Sequence, residues 1–313
     1  MATATTSTGS TTKHSRRLRG MTARRSDTVA GYLFAAPAVL LFLLFFALPL
    51  LATIGLSFVH WDLLTPPRAA GLANYERLLG DSHALRVIGN TFVFTFASVV
   101  LHLGPGLLMA LAVQRRSSRP LKYFLRTAYF FPLLISWAAV ALLWQYAMHP
   151  TFGVFTHYLG ALGVPTTSWL TSPTWSLPAL LLVDFWHTIG FTFVILLAGL
   201  QAIPVNLYEA AIVDGAGALR RFWNVTLPML SPTLFFATVV SFIGAFQIFE
   251  PMYIMTNGGP GDATRSIVQL LYETAFRSFE VGYASVLALV VFAVIFIVTL
   301  LQFRFARRWV HER

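Results

Sequence analysis

The sequence predicts an all-α integral membrane protein with six transmembrane helices and both termini in the cytoplasm. The composition is 57% hydrophobic and only 11% charged, with a mean hydropathy of +0.69, well outside the range of soluble globular chains. Charge-free runs from Thr28 to Val59, Val87 to Gln114 and Val281 to Phe303 each exceed the roughly 20 apolar residues that cross a hydrocarbon core as helix. The Lys and Arg residues alternate. Of 22, 17 lie in the N-terminal tail, ahead of spans 3 and 5, and after span 6, against 5 in the intervening segments. That asymmetry places the first set on the cytoplasmic side.

The tail, residues 1–29, is rich in Ser, Thr and Arg and has little to bury, so it is expected to be a disordered basic cytoplasmic segment. Its Arg16-Arg17 and Arg24-Arg25 pairs invite a twin-arginine reading, but the apolar run that follows is too long for a cleavable signal. An uncleaved first span over about 31–58 is expected instead. The remaining spans are placed at about 88–113, 123–148, 177–203, 232–255 and 281–303, within one membrane domain over 30–308 and ahead of a short cytoplasmic end, 309–313. No internal repeat or second domain is visible.

The connections carry their own signals. Trp61 to Asp81 holds a Pro-Pro break and then a short amphipathic pattern, suited to a small helix at the outer interface. Pro150 to Ser176 lacks Lys, Arg, Asp and Glu, and Trp169 and Trp175 read as interface anchors. Thr256 to Asp262, "TNGGPGD", is a breaker cluster that ends the fifth span. The net charge of +10 is a topology signal and gives no reason to expect nucleic acid as a partner. The absence of Cys excludes disulfides, thiol catalysis and Cys-ligated metals. No His-Glu-x-x-His, Gly-x-Ser-x-Gly or P-loop pattern is present, so no catalytic residue, metal or cofactor is assigned to the chain.

One polar stretch, Tyr208 to Pro232, lies on the cytoplasmic side between spans 4 and 5. Asn206 and Glu209 have capping-box spacing, Gly215 and Gly217 interrupt the helix, and Ser231-Pro232 has the form of an N-cap and first helical position for span 5. The expected element is helix, turn, helix over a loop of 204–231. Its small Ala pair permits close approach by another surface, and Phe222 and Trp223 suit a pocket. A plainer reading has Glu209 capping only its own helix.

This stretch resembles the EAA signature of the permease subunits of binding-protein-dependent ABC importers. Glu209-Ala210-Ala211, Gly215, Val225 and Leu227-Pro228 stand at the signature spacing, with Val for the commoner Ile. The likeness extends from Gly199 to Pro232 and over Tyr253 to Asp262, and is typical of the carbohydrate branch that includes maltose and glycerol-phosphate permeases. The resemblance implies a type I ABC importer permease fold in a bacterial plasma membrane. It also implies a passive subunit, half of a heterodimeric pore in the lipid bilayer, served by two cytoplasmic ATPase subunits that hold ATP and Mg and by an extracytoplasmic solute-binding protein. The coupling residues would be Glu209, Ala210, Ala211, Asp214, Gly215, Phe222, Leu227 and Pro228, with Glu209 meeting a basic ATPase residue.

Ionisable groups inside spans are costly and face bundle interiors or wet cavities. Asp184, His187 and Phe191 share a face of span 4, and Gly244, Gln247 and Glu250 share one of span 5, where Pro251 should bend the helix. Acids and amides hydrogen-bond sugar hydroxyls, and Trp186 or Phe191 could lie against a C–H face. The resemblance adds Thr188 to this substrate pathway, and its positions around Gly244, Ala245 and Ile248 lack the expected amides. A buried Asp184–His187 pair could instead serve helix packing, and Glu250 a helix end. Neither span 4 nor span 5 contains Lys or Arg, which disfavours a bare phosphate or other anion unless a partner permease supplies the cations, and a glycerol-phosphate-type substrate stands as the alternative within the same family. An ion-coupled secondary transporter using Asp184 and Glu250, or a membrane enzyme using Asp184 and His187, are the competing classes.

Overall fold

The computed structural model describes residues 31–116, 118–163 and 168–309, so the expected tail 1–29 and almost all of the end 309–313 lie outside it. Two compact units are distinguished, Met1–Gly55 and Leu56–Arg313. The first unit holds most of helix α1, Gly31–Ser57. Pro49 has no N–H to offer the carbonyl of Phe45, and the helix widens into a π turn at Leu43–Ala47.

The second unit begins with a two-residue ribbon, β1 (Val59–His60) antiparallel to β2 (Arg68–Ala69), followed by the amphipathic helix α2 (Ala73–Gly80). Asn74 of α2 is buried and donates from Nδ2 to the carbonyls of Ser57 and Val59. Asp81 then starts α3 (Ser82–Arg116), accepting from the backbone N–H of His83 and Ala84 and from the hydroxyl of Tyr283. Partial burial pushes the Asp81 carboxyl up, but these donors outweigh it and hold its pKa below the ordinary value. A depressed folded-state pKa contributes stability at neutral pH that is lost as the pH falls through that value.

The expected straight third span is broken. Helix α4 (Arg119–Phe130) runs into a 3-10 turn at Phe131–Leu134 and turns by 95° into α5 (Trp137–Ala147), whose N-cap is Ser136. Pro132 enforces the tighter turn and Ile135 is extended, so two half-length helices replace one. A short helix α6 (Val154–Ala161) follows, which the uncharged composition of that connection did not announce. Trp169 and Trp175 meet edge to face at 5.5 Å, and Trp169 also contacts Phe155, so they form a folded aromatic cluster.

Helix α7 (Ser176–Gln201) is the most buried span. After Ala202–Pro204 come α8 (Val205–Val213) and a continuous helix α9, Ala218–Phe246. The helix that carries span 5 therefore starts at Ala218, within the loop expected over 204–231. Ser231 and Pro232 lie inside the helix and do not open it. The helix tolerates two prolines by local repair. A π turn at Phe222–Thr226 precedes Pro228, and Ser231 Oγ donates to the Pro228 carbonyl that Pro232 leaves without its usual donor, at 2.6 Å. The same span ends at Phe246, short of 255. Pro251 would clash with the carbonyl of Gln247, and the chain leaves the helix over Gln247–Phe249 before a new turn starts at Glu250.

A π turn at Met252–Thr256 leads into the breaker cluster, where Asn257 and Gly258 take positive φ. Helix α10 (Ile267–Phe276) follows, capped by Ser266, whose Oγ accepts from Gln269 N–H, and α11 (Val281–Trp309) closes the fold. Among the described residues five helices are long and apolar enough to cross a membrane, and the bent pair α4/α5 makes up to six.

Three apolar clusters hold this unit together. One joins α2, α3, α9, α10 and α11 around Phe246, Ile267 and Leu287. The second lies under α5 and α7 around Phe94, Leu180 and Met252, and the third joins α3, α7 and α9 around Phe193, Leu197 and Leu230. Exposed Phe292, Phe296, Leu300 and Phe303 along α11 are what a lipid-facing surface requires. Close backbone approach fixes α7 against the bend: a Cβ on Gly190 would stand 1.9 Å from the Tyr129 carbonyl oxygen. Gly190→Ala should therefore destabilise the fold by about 1–3 kcal/mol through forced separation of α4 and α7. The check is the thermal unfolding midpoint in detergent, with Gly104→Ala, which meets nothing within 4 Å, expected to hold or raise it.

Candidate functional site

Asp184 sits at the middle of α7 and is buried among polar groups from α3. Its Oδ2 accepts from Ser98 Oγ at 2.5 Å and lies 3.0 Å from His102 Nε2. Thr188 Oγ1 donates to the Asp184 carbonyl and stands 2.7 Å from the same imidazole nitrogen. One proton must therefore lie between His102 and Asp184, since two bare acceptors would not sit at that distance. With the proton on Nε2, the imidazole donates to both Asp184 and Thr188, and every hydrogen in the cluster is used.

These groups open onto a cavity of about 320 Å³ between α3, α7, the α4/α5 bend and the end of α9. Asp184, Thr188 and Phe191 contribute from α7, and Gly244, Gln247 and Glu250 from the broken end of span 5. Six of the seven residues expected along the substrate pathway are thus brought together. The proline break explains the span 5 set, because it ends the helix before Gln247 and leaves Gln247 exposed at the cavity. Glu250 is half-buried, and its carboxylate has no hydrogen-bond or ion-pair partner among the described residues. Trp137 and Phe191 supply aromatic surface.

His187 does not join them. It points at the α4/α5 bend, where Nε2–H donates to the Ile135 carbonyl at 3.0 Å and the ring lies 4.0 Å from that of Trp137. Helical geometry explains the separation: Asp184, Thr188 and Phe191 lie within about 60° of each other around the axis, and His187 falls about 60° to one side of Asp184. The Asp184–His187 pairing considered from sequence is therefore replaced by Asp184–His102. Trp186 is also displaced, packing edge to face on Trp144 at 5.7 Å. Ser98 and His102 were not singled out from sequence. Their i,i+4 spacing in an apolar run was the available signal.

The second candidate region is the α8–α9 corner. The capping box does not form: α8 starts at Val205 behind Pro204, with no side-chain cap. Its C-terminus closes as a Schellman motif, with Gly215 N–H bonded to the Ile212 carbonyl and Ala216 N–H to that of Ala211. Gly215 has φ +73°, a conformation that favours glycine. Glu209, Ala210 and Asp214 are exposed, and Ala211 is half-buried. Ala210, Ala211 and Asp214 edge a cleft of about 300 Å³ with Arg220 and Arg221. Phe222 and Trp223 meet edge to face at 5.4 Å, Phe222 lining a second cleft beside Tyr208 and Leu200 and Trp223 standing exposed. Leu227 and Pro228 are half-buried within α9 and do not belong to the exposed loop. A hydrogen bond from Tyr208 to Thr226, 3.0 Å, ties α8 to α9.

With this geometry in place, comparison with known proteins is informative. The model of the family described as binding-protein-dependent transport system inner membrane component matches residues 102–311. The chain is 34% identical to the trehalose/maltose transport system permease protein MalF of Thermococcus litoralis, over 88% of this chain and 93% of that one. It is also 34% identical to the sulfoquinovosyl glycerol transport system permease protein SmoG of Agrobacterium fabrum, over 90% and 91%. In fold it is similar to a chain of a bacterial ABC transporter involved in the import of the acidic polysaccharide alginate, with a TM-score of 0.79, 24% identity and coverage of 93% and 99%. The broken third span, the α8 corner and the helices around the cavity therefore belong to a multi-pass permease of an ABC transporter, a member of the binding-protein-dependent transport system inner membrane component family.

Proposed function

We propose that this chain is the membrane-spanning subunit of an ATP-driven importer that moves a sugar or oligosaccharide delivered by an extracytoplasmic solute-binding protein. The observation that carries the substrate class is the cavity. It combines carboxylates, an amide and hydroxyls with the aromatic faces of Trp137 and Phe191, the mixture that matches a sugar's hydroxyl edge and C–H face. The names of relatives such as the trehalose/maltose permease support the same class. A secondary carrier would use Asp184 and Glu250 for ion coupling, but it would have no use for the α8 corner, and the family is one of ABC subunits.

In this reading α8 is the coupling helix. Exposed Glu209 and the small Ala210 and Ala211 face a groove of a cytoplasmic ATPase, with Val205, Ile212 and Trp223 adding exposed apolar surface. Two ATPases, with their ATP and Mg, and a second permease subunit complete the assembly, in a bacterial plasma membrane with both termini inside the cell. Glu209→Lys should abolish uptake while the protein stays in the membrane, because it reverses charge at the docking surface. Gly215→Pro should do the same by another route, since proline holds φ near −65° and removes the N–H bonded to Ile212. Solute uptake in proteoliposomes tests both; uptake that survives both changes and collapses with an ionophore would establish the secondary carrier. Asp184→Ala should lower uptake by about tenfold or more, by loss of a buried charge-assisted hydrogen bond worth roughly 1.5–3 kcal/mol. The ATPases should still co-purify with that variant.

A further inference from the structure

We infer that the Asp184–His102 pair and Glu250 act as a charge filter, so that the cavity admits uncharged saccharides and rejects acidic ones. This rests on the sugar reading above and narrows it. A carboxylate and an imidazole that share one proton sum to zero or to minus one. The third ionisable group on the cavity wall is the half-buried carboxyl of Glu250, which has no partner among the described residues. Among the described residues lining the cavity there is no Lys or Arg. The two arginines nearest in sequence to this end of span 5 are engaged elsewhere, Arg265 with Asp262 and Glu273, and Arg277 with Tyr253.

A uronate or phosphate group entering such a cavity would lose water and meet acceptors and like charge in a medium where Coulomb interactions are poorly screened. A sugar hydroxyl meets the same acceptors as a donor. The polar groups of α3 sharpen the distinction. Ser98 and His102 commit their donors to Asp184 Oδ2, so these two α3 groups are not free to solvate an anion. Oδ1 of Asp184 has no partner among the described residues and stays available to accept from a hydroxyl. Asp184 and Glu250 are thus specificity-determining acceptors, and Ser98 and His102 are positioning residues that fix the first of them.

The test uses the whole complex, permease pair and both ATPases, in lipid nanodiscs, with neutral glucose-based di- and trisaccharides and the same compounds oxidised to uronates at C6. Equilibrium binding is measured without the solute-binding protein, so that its own selectivity does not enter, and ATPase stimulation is measured with it. Wild type should bind the neutral member of a pair at least about tenfold more tightly, a difference of about 1.4 kcal/mol. Glu250→Gln and Asp184→Asn should each narrow that ratio. A purely structural role would weaken both members in parallel and leave the ratio fixed, so an unchanged ratio in both variants overturns the filter. Tighter binding of a uronate by wild type overturns it as well, while leaving the sugar reading intact. If no member of either set binds or stimulates the ATPases, the sugar reading falls and the filter with it.

Discussion

Within hydrocarbon every backbone N–H and C=O needs a partner from the protein, and the shape of this chain follows from how its prolines disturb that rule. A proline inside an apolar helix removes one donor and pushes away one carbonyl. Where the displaced carbonyl is recovered locally, the helix survives: the π turns at Leu43–Ala47 and Phe222–Thr226 and the Ser231 hydroxyl on Pro228 are three such repairs. At Pro132 and Pro251 the helix breaks instead, and the freed groups line a site. The break after Phe131–Leu134 exposes the Ile135 carbonyl, which His187 takes up, and the break before Pro251 frees Gln247 and Glu250 from the helix. Both breaks border one cavity, so the polar backbone is irregular where the fold can satisfy or hydrate it.

Much of this was legible in the chain. The charge-free runs 28–59, 87–114 and 281–303 fall on the long helices α1, α3 and α11, because a stretch that must lie in hydrocarbon excludes charge along its whole length. Asp184, Phe191, Gly244, Gln247 and Glu250 stood out because an acid or amide in an apolar helix is conspicuous and the residues around it share a stripe, while Thr188 came from the family resemblance alone. What stayed hidden depended on partners distant in sequence. His102 is one of 8 histidines and is neutral by composition; only the fold shows it against Asp184, from a helix more than 80 residues away. His187 is the converse, on the right helix but turned to a neighbour whose bend the sequence did not disclose.

Helix ends were the other weak point, and for a definite reason. Ser231-Pro232 has the chemistry of a helix start, yet the tertiary setting lets α9 run through it, because α3 and α7 cover Leu230 and Ala237 on the same stretch. Conversely, Ser266 caps α10 by accepting from Gln269 N–H, a helix start that the sequence reading did not single out. Local signals state what is permitted; burial decides which is used.

The uninterrupted course of α9 bears on how the two regions communicate. One helix begins at Ala218, next to the α8 corner, and ends at Phe246, beside Gly244 and Gln247 on the cavity wall. At 1.5 Å per residue it spans about 40 Å, comparable to the hydrocarbon core plus part of the headgroup region. The Tyr208–Thr226 hydrogen bond and the Schellman closure at Gly215 hold α8 to the base of this helix. On the proposed reading, movement imposed on α8 therefore shifts α9 as a body. Its upper end is where the proline break makes the chain least constrained by helical bonding, so displacement there repositions Gln247 and Glu250 relative to the fixed Asp184 on α7. A span 5 helix begun only at Pro232, as the sequence first suggests, would have placed a flexible joint between the two. The prolines retained inside α9 and the one that ends it thus set where the lever is stiff and where it yields.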